Sequence, residues 1–225
     1  MARERYRDDL DALRADVVAL GEDVVAQLER ALDALEAGDE DAAEAVVAAD
    51  AEINERYLDL EQACIDLFAL QQPVASDLRF VAASFKILTD LERVGDLASN
   101  LGRYTRDTPE SRLDTVDVRA IGAETVALVE AALDAYERED VAACHRVAER
   151  DDEIDALCRT AGERVVRDLL GEAAADGDAW GVEAILEDVS RALLTVRDLE
   201  RVGDHAVNVA ARTLYLVDND SALLY

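Results

Sequence analysis

Residues 90–100 read Asp90-Leu-Glu-Arg-Val-Gly-Asp-Leu-Ala-Ser-Asn100, and residues 198–208 read Asp198-Leu-Glu-Arg-Val-Gly-Asp-His-Ala-Val-Asn208. Nine of the eleven positions are identical across an offset of 108. Upstream of each copy, Asp50-Ala-Glu-Ile-Asn54 answers to Asp151-Asp-Glu-Ile-Asp155 at an offset of 101. Two blocks repeated in the same order mark a tandem duplication, so the fold of one half is the fold of the other.

Outward from these blocks, apolar residues step by three and four. Leu10, Leu13, Val17, Leu20, Val24, Leu28, Ala31 and Leu35 form the stripe of a long amphipathic helix, which Gly38-Asp39 ends and recaps. A second helix runs to about Leu70, where Gln71-Gln72-Pro73 breaks it. Ser76-Asp77 opens a third at a capping position, and that helix reaches about Tyr104 before Thr108-Pro109. The second half repeats the plan: helices over roughly Val116–Glu137 and Val141–Leu170, a loop through Gly171, Gly177 and Asp178, and a helix from Trp180, its anchor, to about Val217. With only two prolines and 4% aromatic residues, the chain reads as all-α. The expected architecture is two tandem three-helix bundles, residues 1–108 and 115–218, related by a pseudo-twofold axis.

Composition narrows the function classes. At 51% hydrophobic, 225 residues bury a sizeable core. The net charge of −29 repels nucleic acid and anionic lipid alike. Of 23 basic residues only Lys86 is a lysine, a bias that together with the acid excess points to a salt-rich cytoplasm. No apolar run approaches a membrane span, and the charged start from Met1 carries no export signal, so a cytoplasmic protein is expected. Cys64, Cys144 and Cys158 never fall as C-x-x-C and read as reduced core thiols.

On a helical wheel Leu91, Val94, Leu97, Ala98 and Leu101 share one apolar sector, while Glu92, Asp96 and Asn100 form a separate stripe. Gly95, between the sectors, is expected to admit a neighbouring helix backbone, as is Gly203. Glu200, Asp204 and Asn208 repeat the stripe, and the middle helices add Asp50 with Asn54 and Asp151 with Asp155 at the same i, i+4 spacing. Like charges one turn apart repel, and a cation is the natural compensating partner. Oxygen ligands favour hard ions such as Mg²⁺, Ca²⁺, Mn²⁺ or Fe³⁺. With 52 acids in the chain, roughly a dozen such acidic pairs arise by chance, so the weight rests on the repeated block rather than on any one pair. His205 falls in the apolar sector and reads as a packed core histidine; Arg93 and Arg201 read as surface ion-pair partners of the acids. There is no Glu-x-x-His, as the di-iron or di-manganese bundle enzymes use, no Gly-rich phosphate loop and no marked nucleophile.

The duplicated Asp-Leu-Glu-Arg-Val-Gly-Asp block, with Gln72-Pro73-Val-Ala-Ser-Asp77-Leu78-Arg79 upstream of its first copy, resembles the PhoU family of phosphate-transport accessory regulators over nearly the whole chain. The resemblance implies a six-helix, two-repeat fold whose E(D)-x-x-x-D motifs bind multinuclear metal clusters on the surface. Carried over, it implies Glu92 with Asp96 in one site region and Glu200 with Asp204 in the other, Asp151 with Asp155 fitting the pattern on the middle helix. Asp50 with Asn54 departs from it, an amide standing in for the second acid. Iron leads the expected cations, with Mn, Mg, Ca or Zn behind it. The resemblance further implies a non-enzymatic negative regulator of phosphate uptake and signalling. Its implied partners are the ATPase subunit of a phosphate ABC transporter and a sensor kinase or other phosphate-signalling protein, and a homodimer is expected. A carboxylate-bridged metal enzyme and a metal-free acidic docking bundle are the alternatives.

Overall fold

A computed structural model describes residues 2–71, 75–106, 117–175 and 179–223, and these form six helices. They are α1 (Ala2–Ala37), α2 (Glu40–Gln71), α3 (Ala75–Arg106), α4 (Val118–Arg138), α5 (Val141–Ala175) and α6 (Ala179–Asp218). Within each half the three helices pack on one another, and the halves meet through α3 against α6 and α1 against α4. The apolar stripe read from α1 is the core: Leu13, Val17, Leu20, Val24, Leu28 and Ala31 are buried, as are Leu91, Val94, Leu97, Ala98 and Leu101 on α3. Among the described residues no helix is long and apolar enough to cross a membrane.

The duplication extends to the atoms of the first turns. Gly38 (φ 62°) ends α1, Asp39 N–H donates to the Ala34 carbonyl, and the Asp39 side chain accepts from Ala42 N–H at 2.9 Å. In the second half Glu139 takes the same left-handed conformation (φ 54°), Asp140 N–H donates to the Ala135 carbonyl, and Asp140 accepts from Ala143 N–H at 3.0 Å. A glutamate thus stands where the first repeat has the glycine that the conformation favours.

Three local expectations shift. α3 begins at Ala75, which places Ser76 and Asp77 in its first turn, bonded to each other at 3.1 Å, rather than at the cap. Gly171 lies within α5, because Ala- and Glu-rich sequence carries the helix on to Ala175 at the modest cost of one glycine. The close backbone approach expected at Gly95 occurs instead at Gly102, where an added Cβ would sit 3.1 Å from the Ala43 carbonyl of α2. The breaks at Gln72-Pro73, Thr108-Pro109 and Gly177-Asp178, the start at Val116 and the Trp180 side chain lie outside the described residues.

The three cysteines are buried free thiols, and burial pushes them to about 12, 11 and 12 for Cys64, Cys144 and Cys158, which keeps them protonated.

Candidate metal centre on two acidic faces

In the first half α3 presents Glu92 and Asp96 beside its buried sector, and α2 lays Asp50 and Asn54 against them. Asn54 Nδ2 donates to Asp50 Oδ2 at 3.2 Å. Burial raises the Asp50 carboxyl above its ordinary range and Asp96 adds to the effect, while Arg103, Gln27 and Asn54 work against it. Glu92 is raised by burial, then by Asp96, with Arg93 opposing. Gln27 of α1 is wholly buried behind this face. Its Nε2 donates to the Val46 carbonyl at 3.3 Å, its Oε1 has no partner, and an added Cβ at Gly95 would sit 3.3 Å from that oxygen.

The second half brings Asp151 and Asp155 of α5 against Glu200 and Asp204 of α6. Around Asp151 the named influences all act in one direction. Asp151 is pushed up to about 7, by burial first and then by Asp155, Asp204, Asp152 and Glu200. Glu200 and Asp204 are both raised by burial and by Asp155, with Arg159 opposing at Glu200, and His205 and Arg201 at Asp204. Oδ1 of Asp151 and Oδ1 of Asp155 are buried without a hydrogen-bond partner. The missing side chain of Gly203 makes room for Asp151: a Cβ there would lie 2.5 Å from Asp151 Oδ1 and 3.8 Å from Leu128, the residue that stands where the first half has Gln27.

Four carboxylates of one face, two of them with orphaned buried oxygens, fit an oxygen-ligated cation by charge and donor type. As placed, no three acidic, histidine or cysteine side chains among the described residues form a ready metal cage.

Asn100 and Asn208, expected to extend the acidic rows, face the seam between the halves. α3 and α6 cross antiparallel, so the last residue of each repeated block meets the first residue of the other. Asn100 Nδ2 donates to Asp198 Oδ2 at 3.3 Å, and Asn208 Nδ2 donates to Asp90 Oδ1 at 3.1 Å. Asp198 is fully buried and also accepts from Tyr104 Oη at 2.8 Å and from Arg197 at 2.9 Å. Asn100 Oδ1 accepts from Arg103 at 2.7 Å, which commits both ends of its amide. His205 is half-buried at the same seam, its Nδ1 2.9 Å from Asp90 Oδ1, rather than packed among apolar residues. Arg93 pairs with Glu92 at 3.4 Å and Asp96 at 3.1 Å on the helix surface, while Arg201 turns to Asp198 at 3.8 Å.

Four residues of this arrangement escaped the sequence reading. Asp90 and Asp198 open the repeated blocks, so the repeat itself marked them. Tyr104 and Gln27 have no like residue in the other half, and no sequence signal singles them out.

Comparisons with known proteins agree with the duplication. The PhoU domain matches this chain twice, over residues 17–105 and 118–213. The chain is 32% identical over 217 residues to a phosphate-specific transport system accessory protein PhoU homolog of Pseudomonas aeruginosa, covering 95% of this chain and 86% of that protein. It is 31% identical to the homolog of the same description from Clostridium acetobutylicum, covering 96% of each. The crystal structure of PhoU from Pseudomonas aeruginosa superposes with a TM-score of 0.83 at 31% identity, over 96% of this chain and 100% of that one. The regulatory protein PhoU from Streptococcus pneumoniae, at 23% identity and the same TM-score, shares the fold. Both matched stretches take in an acid-bearing repeat from end to end of its site, and the chain belongs to the PhoU family.

Proposed function

We propose that the chain is a cytoplasmic, non-enzymatic accessory regulator of phosphate transport that restrains uptake and phosphate-responsive signalling, and that it holds cations on its two acidic faces. The observation that carries the cation reading is Asp151: its Oδ1 is buried without a partner in the notch left by Gly203, among three further carboxylates. A bound cation supplies the positive charge that these carboxylates lack.

Glu200, Asp204, Asp151 and Asp155 would hold it in one half, and Glu92, Asp96 and Asp50 in the other, with Asn54 fixing the Asp50 carboxylate. Iron leads as the cation, with Mn, Mg, Ca or Zn as competitors on an oxygen site. What the residues themselves do is position and shield. The buried sectors of α3 and α6 fix the acid spacing, and the Asn100–Asp198 and Asn208–Asp90 bonds hold the two faces in register. The resulting rigid surface docks on the ATPase subunit of a phosphate ABC transporter, with a sensor kinase or other phosphate-signalling protein as a further partner and a homodimer as the assembled form. The similarity to accessory proteins of phosphate-specific transport systems supports this role.

Elemental analysis of untagged protein purified at high salt without chelator tests the reading, together with a variant carrying Glu92→Gln, Asp96→Asn, Glu200→Gln and Asp204→Asn. Tightly held iron or another divalent ion in the parent, absent from the variant and accompanied by deregulated phosphate uptake, is the expected result. Equal metal content and unchanged regulation in the two proteins would refute it. Metal-free, folded parent protein leaves an acidic docking bundle.

A further inference from the structure

Acids outnumber bases by 52 to 23 in this chain, and along its surface an arginine commonly faces a carboxylate of its own. Arg138 meets Asp134 at 2.9 Å and Arg150 meets Glu124 at 3.0 Å. The seam between α3 and α6 breaks that pattern. Among the described residues Arg103 bonds no carboxylate: its Nη1 donates to the neutral Oδ1 of Asn100 at 2.7 Å. Arg197 donates through Nε and Nη2, at 3.2 and 2.9 Å, to Oδ1 of Asp198, and Arg201 approaches the same oxygen at 3.8 Å. Three guanidinium groups thus gather about one carboxylate, an island of positive charge on a protein of net charge −29.

Asp198 is fully buried and holds the island from beneath. Its Oδ2 accepts from Asn100 Nδ2 at 3.3 Å and from Tyr104 Oη at 2.8 Å, so Arg103 and Arg197 are tied to the same carboxylate, one through Asn100 and one directly. Both also act on the Tyr104 hydroxyl. The side chains of Arg197 and Arg201 are 54% and 46% exposed, which leaves the donors not bonded inward within reach of solvent. Nothing in the duplication requires this grouping. At the offset of 108, Thr89 stands where Arg197 does and Ala211 where Arg103 does, so the other end of the seam, around Asp90, lacks both guanidinium groups.

We infer that Arg103 and Arg197, with Arg201 at their flank, form a binding site for a phosphate-class oxyanion at the α3–α6 seam. The planar fork of a guanidinium matches two oxygens of a tetrahedral anion, and two forks held by one buried carboxylate are oriented before the anion arrives. The surrounding acids repel anions at long range in dilute buffer. At molar salt the screening length is about 3 Å, and an anion at the seam then responds chiefly to the groups it touches. The identity of the oxyanion as phosphate rests on the transport-regulator reading above; the site itself does not, and neither depends on bound cations. Because the site straddles α3 and α6, an anion there bridges the two repeats.

Equilibrium dialysis of radiolabelled inorganic phosphate against chelator-stripped full-length protein at one fixed high KCl concentration tests this, the stripping excluding phosphate held by metal. Saturable binding of one phosphate per chain is expected. Arg103→Gln and Arg197→Gln should each weaken it about tenfold or more, Arg197→Lys should weaken it less, and Arg138→Gln, which removes an exposed arginine from an ordinary pair, should leave it unchanged. Melting curves establish that each variant is folded, and the two seam variants test the site independently. Adenosine triphosphate as competitor separates the sources: displacement at concentrations well below those of phosphate assigns the site to a phosphoryl group carried on a larger molecule, and weaker displacement assigns it to the free ion. Sulfate bound as tightly as phosphate would overturn the phosphate assignment. Absence of saturable binding of either probe, or binding that survives both seam variants or falls equally with Arg138→Gln, would overturn the site, while metal content and regulation of uptake test the reading above separately.

Discussion

Asp151 of α5 occupies the space that a side chain at Gly203 of α6 would fill, its Oδ1 2.5 Å from where a Cβ would stand. A carboxylate that reaches α6 only because one helical residue lacks a Cβ is positioned by the glycine, and the glycine is intelligible only through the carboxylate. Gly203→Ala should therefore separate two effects. Alanine removes the helix cost of glycine, about 1 kcal/mol, and at the same time forces Asp151 aside. Stability in chelator should change by less than about 1 kcal/mol, while Mn²⁺ affinity falls about tenfold. Gly95→Ala is the control, since its Cβ would lie 3.3 Å from Gln27 Oε1 and needs only a small adjustment. Equal Mn²⁺ affinity in the parent and the Gly203 variant would show that Asp151 takes no part in binding.

The raised carboxyl of Asp151 fixes the direction of a pH effect. Its proton affinity moves from 3.8 in the unfolded chain to about 7 in the folded one. The stability that this group contributes is full below pH 4 and is lost as the pH rises to about 7, beyond which the buried charge is a standing cost. Replacing it by a neutral amide removes that dependence. In chelator, Asp151→Asn should gain on the parent by about 1–2 kcal/mol between pH 5 and pH 8, allowing for the partial exposure of the site. Urea midpoints at the two pH values check it, and a difference that does not move with pH would count against the assignment.

The seam between the halves predicts a coupling. Asp198 is fully buried and accepts from Asn100, Tyr104 and Arg197, so Asp198→Ala takes the shared acceptor from the half-buried Asn100 and Tyr104 at a cost of about 2 kcal/mol. Asn100→Ala should cost about 1 kcal/mol, and the double variant should lose less than the sum by about 1 kcal/mol. Strict additivity in denaturant unfolding would mean that the two residues do not share a bond in solution.

These two residues also show where sequence reading reached and where it stopped. Periodicity located every helix of the fold, because the buried stripe of α1 and the sectors of α3 and α6 each keep one apolar face. The repeat located the acids of both faces. It could not assign the asparagines, since Glu92, Asp96 and Asn100 lie on one stripe of an isolated helix. Only the antiparallel crossing of α3 and α6 turns Asn100 towards Asp198 and Asn208 towards Asp90. Gln27 was illegible for a related reason: a lone glutamine on an apolar stripe has no pattern, and its meaning comes from three helices meeting behind Gly95.

At the α4–α5 corner a glutamate holds the left-handed conformation that glycine holds at the α1–α2 corner. Glu139→Gly should relieve about 1 kcal/mol of backbone cost. It also removes the ion pair of Glu139 with Arg14, an exposed contact worth about 0.5 kcal/mol. The net expectation is a small gain in melting temperature, and a loss would show that Arg14, stacked 4.8 Å from the Phe80 ring, depends on Glu139 for its placement.

The charge of −29 sets the last expectation. In dilute buffer the acids of both faces repel one another over about 30 Å at 0.01 M salt, whereas at 1 M the screening length is about 3 Å. Self-repulsion then falls away for the exposed acids but not for the buried Asp151 and Asp155 oxygens, which bulk salt cannot reach. Melting temperature should therefore rise steeply between dilute buffer and molar KCl, and a further increment should appear on adding millimolar Mn²⁺ at the same ionic strength. The salt effect should persist in Asp155→Asn and the Mn²⁺ increment should shrink in it. Identical melting in dilute buffer and molar KCl would remove the salt-rich cytoplasm as the explanation of the composition.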